Sequence, residues 1–451
     1  MRKIPFTPRY TELLKIATKV TKILKSAGFE TGLVGGCVRD LWLGRTPSDC
    51  DIVTSATPEE LAELFSDCRI VGAAFGVSLV RLDGFEFEVA TAREERFYLD
   101  GRHPEEVRYT KELAVDVQRR DFTINALWFD PEEAVIYDTV GGIDDLERGV
   151  VRTVGDPLER FSEDYLRMLR AIRFAARLRF ELEFETEQAI IKLAPKCREI
   201  AGERLKTELS QMLIGNDPSR AMRLLLKTGI LAVVLPEISA LVGVEQPPQF
   251  HPEGDVFTHT MLMLEHMAYP DVNLAWSVLL HDVGKAQTQS VDPDGRIRFF
   301  GHESVGEESA QKILERFRFS VAERDSVVHA VKNHMRFASV KNMKKPKLRR
   351  LLSDSNFALE LELHRLDCIS CHGMLDVFVF LLDLLRESPQ LSTLPKPLIM
   401  GRDLIEAGCL PGPKFSRVLD AIYDKQLSGK FQTREDALKA ALKLWGKVAI
   451  K

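Results

Sequence analysis

Residues 34–51 read VGGCVRDLWLGRTPSDCD, and this stretch governs the interpretation of the whole chain. Gly35 and Gly36 follow a short apolar run and open a helix-like segment carrying Arg39; Asp49 and Asp51 come after it. Having no Cβ, the glycines let the backbone turn sharply and bring N–H groups up to phosphate oxygens at a helix N-terminus. Arg39 would add a cation beside them. If the Ile-Val-Thr after Asp51 continues a strand, the period of two places both carboxylates on one face. They would then offer the oxygen ligands that Mg²⁺ takes when it also holds a triphosphate.

At 451 residues the chain is too long for one core, which predicts three or four domains. No run of 18 apolar residues occurs, and the opening MRKIPFTPRY lacks the apolar core of a signal peptide, so no membrane is expected and the cytoplasm is the expected compartment. Seven cysteines, mostly scattered, fit a reducing compartment better than a disulfide framework. With a net charge of −5, any nucleic-acid surface must be local.

Up to about residue 150 short alternating runs dominate. VSLVRL and FEFEVAT flank Asp83-Gly84, a two-residue hairpin signal. In the second run Phe85, Phe87 and Val89 alternate with Glu86 and Glu88, and Glu88 is a candidate third carboxylate beside the Asp49–Asp51 pair. From about 155 onward the pattern is almost wholly helical, broken at Asn216-Asp217-Pro218, at 245–255 and at 388–397. The expected class is α+β: a small mixed-sheet head, then an all-α remainder.

Two further stretches carry chemistry. RRDFTINAL, Arg119 to Leu127, gathers two arginines, Asp121 and Asn125. In SEDYLRMLRAIRFAARLRF, Arg167, Arg170, Arg173 and Arg177 share one face of a helix while Leu166, Leu169, Ile172 and Ala176 form the packing side. Glu163 and Asp164 are the two nearby acids, which leaves a positive surplus that a triphosphate could neutralise.

The glycine pair with its DxD, the V-A-T-x-R run at Val89 to Arg93, RRDFTINAL, and E-D-x-x-R at Glu163, Asp164 and Arg167 together resemble the polymerase-β-like nucleotidyltransferases. More closely, they resemble the bacterial class II tRNA nucleotidyltransferase and poly(A) polymerase family. The resemblance implies Mg²⁺ on Asp49, Asp51 and Glu88, and a flexible loop over residues 93–110. It also implies a nucleotide contact from Arg120, and Asp121 and Asn125 near the sugar. Asp164 and Arg167 would read the edge of the incoming base, so that the protein itself selects C or A, with Arg170 and Arg173 on the phosphates. Tyr165 stands where many members have proline, which bears on where the helix starts.

His259, the pair His281-Asp282 in HDVGK, His302, His334 and Asp367 occur in an order resembling the HD phosphohydrolases. Their mixed imidazole and carboxylate donors suit Ni²⁺, Co²⁺, Mn²⁺ or Fe²⁺ better than Mg²⁺. The resemblance implies hydrolysis of 2′,3′-cyclic phosphate or phosphate-blocked RNA ends. Cys368 and Cys371 lack a second CxxC and are expected to be buried apolar side chains, not zinc ligands. A basic cluster of Lys341, Lys344, Lys345, Lys347, Arg349 and Arg350 is a candidate RNA-backbone surface.

The tail from Gly401 resembles the RNA-binding helices of bacterial members that carry an HD domain, and no long basic extension follows it, which favours tRNA over poly(A) synthesis. The expected division is 1–150 head, 151–245 neck and body with the arginine helix and an RNA surface, 246–385 HD domain and 386–451 RNA-binding tail. The expected activity is addition of CCA, or part of it, to tRNA from CTP and ATP. A poly(A) polymerase and a CC- or A-adding enzyme stay open as alternatives, as does the oligomeric state.

Overall fold

The computed structural model describes residues 1–72, 76–98, 104–249 and 251–448. It divides into two compact units, one of residues 1–240 with 315–319, the other of residues 241–314 with 320–451.

The first unit opens on a sheet. Its strands are β1 (Arg2–Pro5), β2 (Thr31–Val34), β3 (Asp51–Thr54), β4 (Cys68–Gly72), β5 (Val77–Leu82), β6 (Phe85–Thr91), β9 (Leu127–Asp130) and β10 (Val135–Asp138). They run in the order β1-β10-β9-β2-β3-β6-β5-β4. β3 and β6 are parallel; the other pairings are antiparallel. The Asp83-Gly84 signal is met by a β5–β6 hairpin whose turn has positive φ at both residues, the conformation that Asp-Gly accommodates.

The centre of the sheet is apolar on both sides, because β2 and β9 are buried throughout and β3 nearly so. Helix Glu12–Ser26 covers it, burying Leu14, Ile16, Ala17, Val20 and Leu24, with Thr11 capping its first turn.

Between β6 and β9, the segment expected to be a flexible loop holds strand structure. β7 (Arg93–Tyr98) and β8 (Pro104–Tyr109) pair antiparallel, with Glu94 set opposite Arg108, a cross-strand opposite-charge pair. The tip of that segment, 99–103, lies outside the described residues.

Beyond residue 155 the described residues are largely helical as the pattern indicates, with short strands at Glu181–Leu182, which pairs back to Val150–Val151, and at Ser290–Val291 with Ile297–Arg298. The break at 216–218 is a helix start, where Asp217 accepts the N–H of Arg220 and Pro218 takes the first helical position. The arginine helix, Leu166–Leu178, packs against Gly202–Leu213 and Pro218–Lys227.

In the second unit, helices Val256–Glu265, Val272–Leu280, Val321–Asn333 and Phe357–Ser370 pack together. A separate cluster of Leu404, Val418, Ile422, Ala437 and Ala441 ties the last three helices. Among the described residues no helix is long and apolar enough to cross a membrane.

Candidate functional site

In the first unit, register assembles the site. β2 ends at Val34, which pairs with Asp51, the first residue of β3. The glycine turn after Val34 is therefore held beside the Asp51 carboxylate. Gly35 has φ +78° and ψ −137°, open to glycine, and a Cβ there would stand 3.4 Å from Arg120 Nη1 and 3.6 Å from Asp51 Oδ2.

On the other side, Ile52 pairs with Val89, and one step back along this parallel register sets Glu88 beside Asp51. Asp49 is exposed and lies before the strand, not in it, so the pair does not share a strand face. Burial, then the charges of Asp49 and Glu88, push Asp51 up to about 6, and Arg120 opposes them. Three mutually repelling carboxylates beside one guanidinium are a donor set for a hard divalent cation. Among the described residues the three do not close into a tight cluster, which leaves room for ligand oxygens from a substrate.

Other residues singled out in the sequence have partners that revise their reading. Arg39 is 3% exposed, and its guanidinium is bonded to Asp40 and to Asn125 Oδ1 at 2.8 Å, so it tethers the glycine helix to the 123–125 turn and is not a free cation. Asn125 is correspondingly committed to Arg39. Arg119 and Arg120 both bond the fully buried Asp116, and of the two only Arg120 reaches Gly35 and Asp51.

Asp121 receives Arg170 Nε at 2.8 Å, which holds its carboxyl below the usual range against the opposing effect of burial. Its other oxygen accepts the Phe122 N–H. Arg173 donates to the buried Glu208 at 2.7 Å, with Arg170 3.9 Å from the same residue. The arginine surplus is thus smaller than the sequence indicated, because Asp121 and Glu208 come from distant segments. A cavity of about 530 Å³ lies along Arg170, Arg173 and Arg177.

Glu163 joins Arg160 and Arg167. Asp164 is gripped bidentately by Arg204 at 3.1 and 2.7 Å and caps Leu166, where the helix begins one residue after Tyr165. Arg204 escaped the sequence reading; in GERLKTELSQML the acid Glu208 among Leu205, Leu209 and Met212 was the available signal of a buried pair on that helix.

In the second unit all six HD residues converge. His281, His302 and His334 donate Nδ1–H to the carbonyls of Val278, Phe299 and Val331, at 2.8, 2.9 and 2.6 Å, which turns each Nε2 lone pair inward. His302 Nε2 and His334 Nε2 face each other at 3.1 Å, and Asp282 Oδ1 lies 3.5 and 3.7 Å from them. His259 Nε2 is 3.1 Å from Asp367, and His281 Nε2 is 3.1 Å from Asp282, yet neither makes a hydrogen bond.

Opposed acceptors and orphaned buried nitrogens are an arrangement that a metal ion would satisfy, so the residues fit a metal. Among the described residues three overlapping sets come together, His251-Glu253-His259, His259-His281-Asp282 and Asp282-His302-His334. Burial lowers His334 to about 4, keeping it neutral. Burial also acts to lower His259, but Asp367 and Glu253 raise it to about 9. Glu253, which the sequence reading missed, bonds both His259 Nδ1 at 2.6 Å and His251 at 2.9 Å and so orients the first ligand. Gly284 of HDVGK is dictated by packing: a Cβ would lie 2.2 Å from the His302 carbonyl oxygen.

Cys368 and Cys371 are neutral thiols, burial raising both to about 12, and among the described residues neither belongs to a metal-like cluster. In the basic segment Lys344, Lys345 and Lys347 are exposed, whereas Arg350 is bonded to Asp424 at 2.8 Å and lies over Tyr423, and Lys341 is bonded to Asp376. Arg349, half-buried, reaches the Gln390 carbonyl at 3.5 Å. Of this cluster Arg349 is the half-buried member, leaning on the 389–392 turn, whereas Arg350 is exposed beside the three lysines and also ties its helix to the C-terminal helices.

Family models match three successive segments: Poly A polymerase head domain over 31–152, Probable RNA and SrmB- binding site of polymerase A over 179–241, and HD domain over 255–362. The CCA-adding enzyme of Lactobacillus helveticus is 37% identical over 287 residues, 63% of this chain and 71% of that protein. The chain belongs to the CCA-adding enzyme family.

The CCA-adding enzyme of Leuconostoc mesenteroides is 42% identical over 208 residues, 46% of this chain and 52% of its own; the chain spans about half the length of the curated relatives it first matches. The Bacillus stearothermophilus CCA-adding enzyme in complex with CTP superposes with a TM-score of 0.73 at 25% identity, covering 98% of this chain and all of that one. The Thermotoga maritima CCA-adding enzyme complexed with tRNA shares the fold, with a TM-score of 0.58 at 20% identity and 97% coverage of both chains. Nucleotidyltransferase and HD domains both imply use of a divalent metal.

Proposed function

We propose that the chain is a tRNA nucleotidyltransferase that adds CCA, wholly or in part, to tRNA 3′ ends from CTP and ATP and releases pyrophosphate. The observation that carries this is the Asp51 carboxylate, set by register between Glu88 and the Gly35 turn and facing Arg120. Asp49, Asp51 and Glu88 would hold Mg²⁺, which when bound aligns a 3′ hydroxyl with the α-phosphate and stabilises the leaving pyrophosphate.

The protein's own part is placement. The Gly35–Gly36 turn lets a triphosphate approach the backbone, and Arg120 supplies positive charge beside it. Asp164, fixed by Arg204, and Arg167, fixed by Glu163, offer an acceptor and a donor to a base edge. Arg170 and Arg173 lie one and two turns further along the helix, on the phosphate side of this reading. The division into head (1–150), neck and body (151–245), HD domain (246–385) and tail (386–451) belongs to the same proposal, with Lys344, Lys345 and Lys347 following the tRNA backbone. The test is incorporation of labelled CTP, ATP, UTP and GTP into tRNA transcripts that end before, within and just short of the end of CCA.

A second activity is favoured by the orphaned Nε2 atoms of His259 and His281. The HD residues would hold a transition metal such as Ni²⁺, Co²⁺, Mn²⁺ or Fe²⁺, which polarises a phosphoester for hydrolysis. Lys285 Nζ, 2.6 Å from Asp282 and bonded to Gln246, brings a buried positive charge to the same cavity. Assay of the purified chain with each metal against 2′,3′-cyclic and terminal phosphates tests this reading.

A further inference from the structure

The HD cavity has two unlike halves. Its floor is polar, with Asp282, His302, His334, Asp367 and Lys285 lining a space of about 490 Å³, a size ordinary for small-molecule sites. Its rim carries Phe300 and Met335, which are 77% and 51% exposed. Large apolar side chains that exposed are placed there by the metal ligands' own turns. The Phe299 carbonyl accepts His302 Nδ1–H, and the next residue, Phe300, is thrown outward before Gly301 (φ +74°) leads into the helix of His302. Met335 directly follows His334, whose Nδ1–H is fixed on Val331. The geometry that aims two nitrogens at the floor thus also fixes one apolar side chain beside each.

We propose that Phe300, on the same rim as Met335, is a base platform, so that this cavity takes a phosphoester carried on a nucleoside and grips its nucleobase while the phosphate meets the floor. This rests on the phosphohydrolase reading and adds a substrate-binding residue to it. A phosphate alone would leave the rim uncovered, and the puckered C–H face of a sugar covers a phenyl ring less completely than a planar base does. A base offers that planar face whatever its identity, so the platform selects for a nucleotide without selecting among bases.

The test uses the full chain loaded with Mn²⁺ or Ni²⁺ and two readouts. Binding is followed by fluorescence quenching of 2-aminopurine riboside 3′-monophosphate, free and at the end of a short RNA; the difference between wild type and Phe300 variants isolates this cavity from the nucleotidyltransferase site. Turnover is followed on adenosine 3′-monophosphate and on glycerol 2-phosphate, both phosphomonoesters of secondary alcohols.

Phe300→Ala should weaken nucleotide binding and raise its KM roughly tenfold, Phe300→Tyr should restore both, and glycerol 2-phosphate turnover should not change. Equal affinity for free and RNA-borne nucleotide assigns the cavity to the terminal residue alone; tighter binding of the RNA assigns it to RNA ends. The platform is overturned if Phe300→Ala binds the nucleotide like wild type, or if it loses glycerol 2-phosphate turnover to the same degree. Phe300-dependent binding without hydrolysis by any metal would retire the hydrolase reading and leave the platform standing.

Discussion

At the scale of single residues, the proposed nucleotidyltransferase site rests on Asp51 and Glu88, placed by strand register, and on Asp49 just ahead of the strand. Asp49→Ala or Asp51→Ala should cut nucleotide addition by several orders of magnitude while tRNA binding, measured by filter retention, stays near wild type; wild-type-like addition in Mg²⁺ would refute the assignment. The same scale holds what the sequence could not show. The Asp49–Asp51 pair was legible from its own spacing, whereas the roles of Glu88, Arg120 and Asp164 were legible only through the family resemblance. Arg204 was not, because it acts on Asp164 across 40 positions, brought close only by packing; Glu253 lies only six positions from His259, but nothing in its loop marks it as that histidine's partner. If Arg204 holds the acceptor that reads the base, Arg204→Ala should reduce discrimination of CTP over UTP by about 10- to 100-fold, the worth of a hydrogen bond to a charged group. Single-turnover incorporation of each nucleotide reads this directly, and unchanged discrimination would show that Asp164 orients itself.

At the scale of elements, the arginine helix shows how far periodicity carries and where it stops. Its amphipathic face was readable at 3.6 residues per turn; that Glu208 and Asp121 neutralise it was not. Arg173 is nearly buried against Glu208. Its loss leaves an unpaired buried acid, so Arg173→Ala should destabilise the first unit by about 3–5 kcal/mol in urea unfolding, beyond any loss of triphosphate affinity.

In the second unit, Glu360 on helix Phe357–Ser370 is fully buried with His329 and Arg336 around it. Burial pushes it up to about 7 against their opposing charges. A carboxyl raised in the folded state binds its proton more tightly there than in the unfolded chain. Its contribution to stability is therefore present below about pH 4.5 and is lost as pH rises toward 7. The melting temperature of wild type relative to Glu360→Gln should fall across that window, the change amounting to at most about 3 kcal/mol. A difference that stays flat or rises with pH would show that the His329 and Arg336 pairing outweighs burial.

At the scale of the whole molecule, two domains with different donor sets share one chain. The head offers hard carboxylate oxygens, and the HD centre offers imidazoles with buried carboxylates. The two should separate genetically: His281→Ala with Asp282→Ala should abolish phosphoester hydrolysis and leave nucleotide addition largely intact, and a double variant that still hydrolyses would remove the HD centre from the account.

The most direct measurement of the central claim is nucleotide incorporation by the purified full chain. The acceptors are tRNA transcripts ending before CCA, in C and in CC, beside an unstructured RNA, with each nucleoside triphosphate offered alone and together. The account predicts limited addition confined to C and A on tRNA, never running past a complete CCA end, and none by Asp51→Ala. An open-ended run of A on the unstructured RNA, or UTP used as readily as CTP, would contradict it.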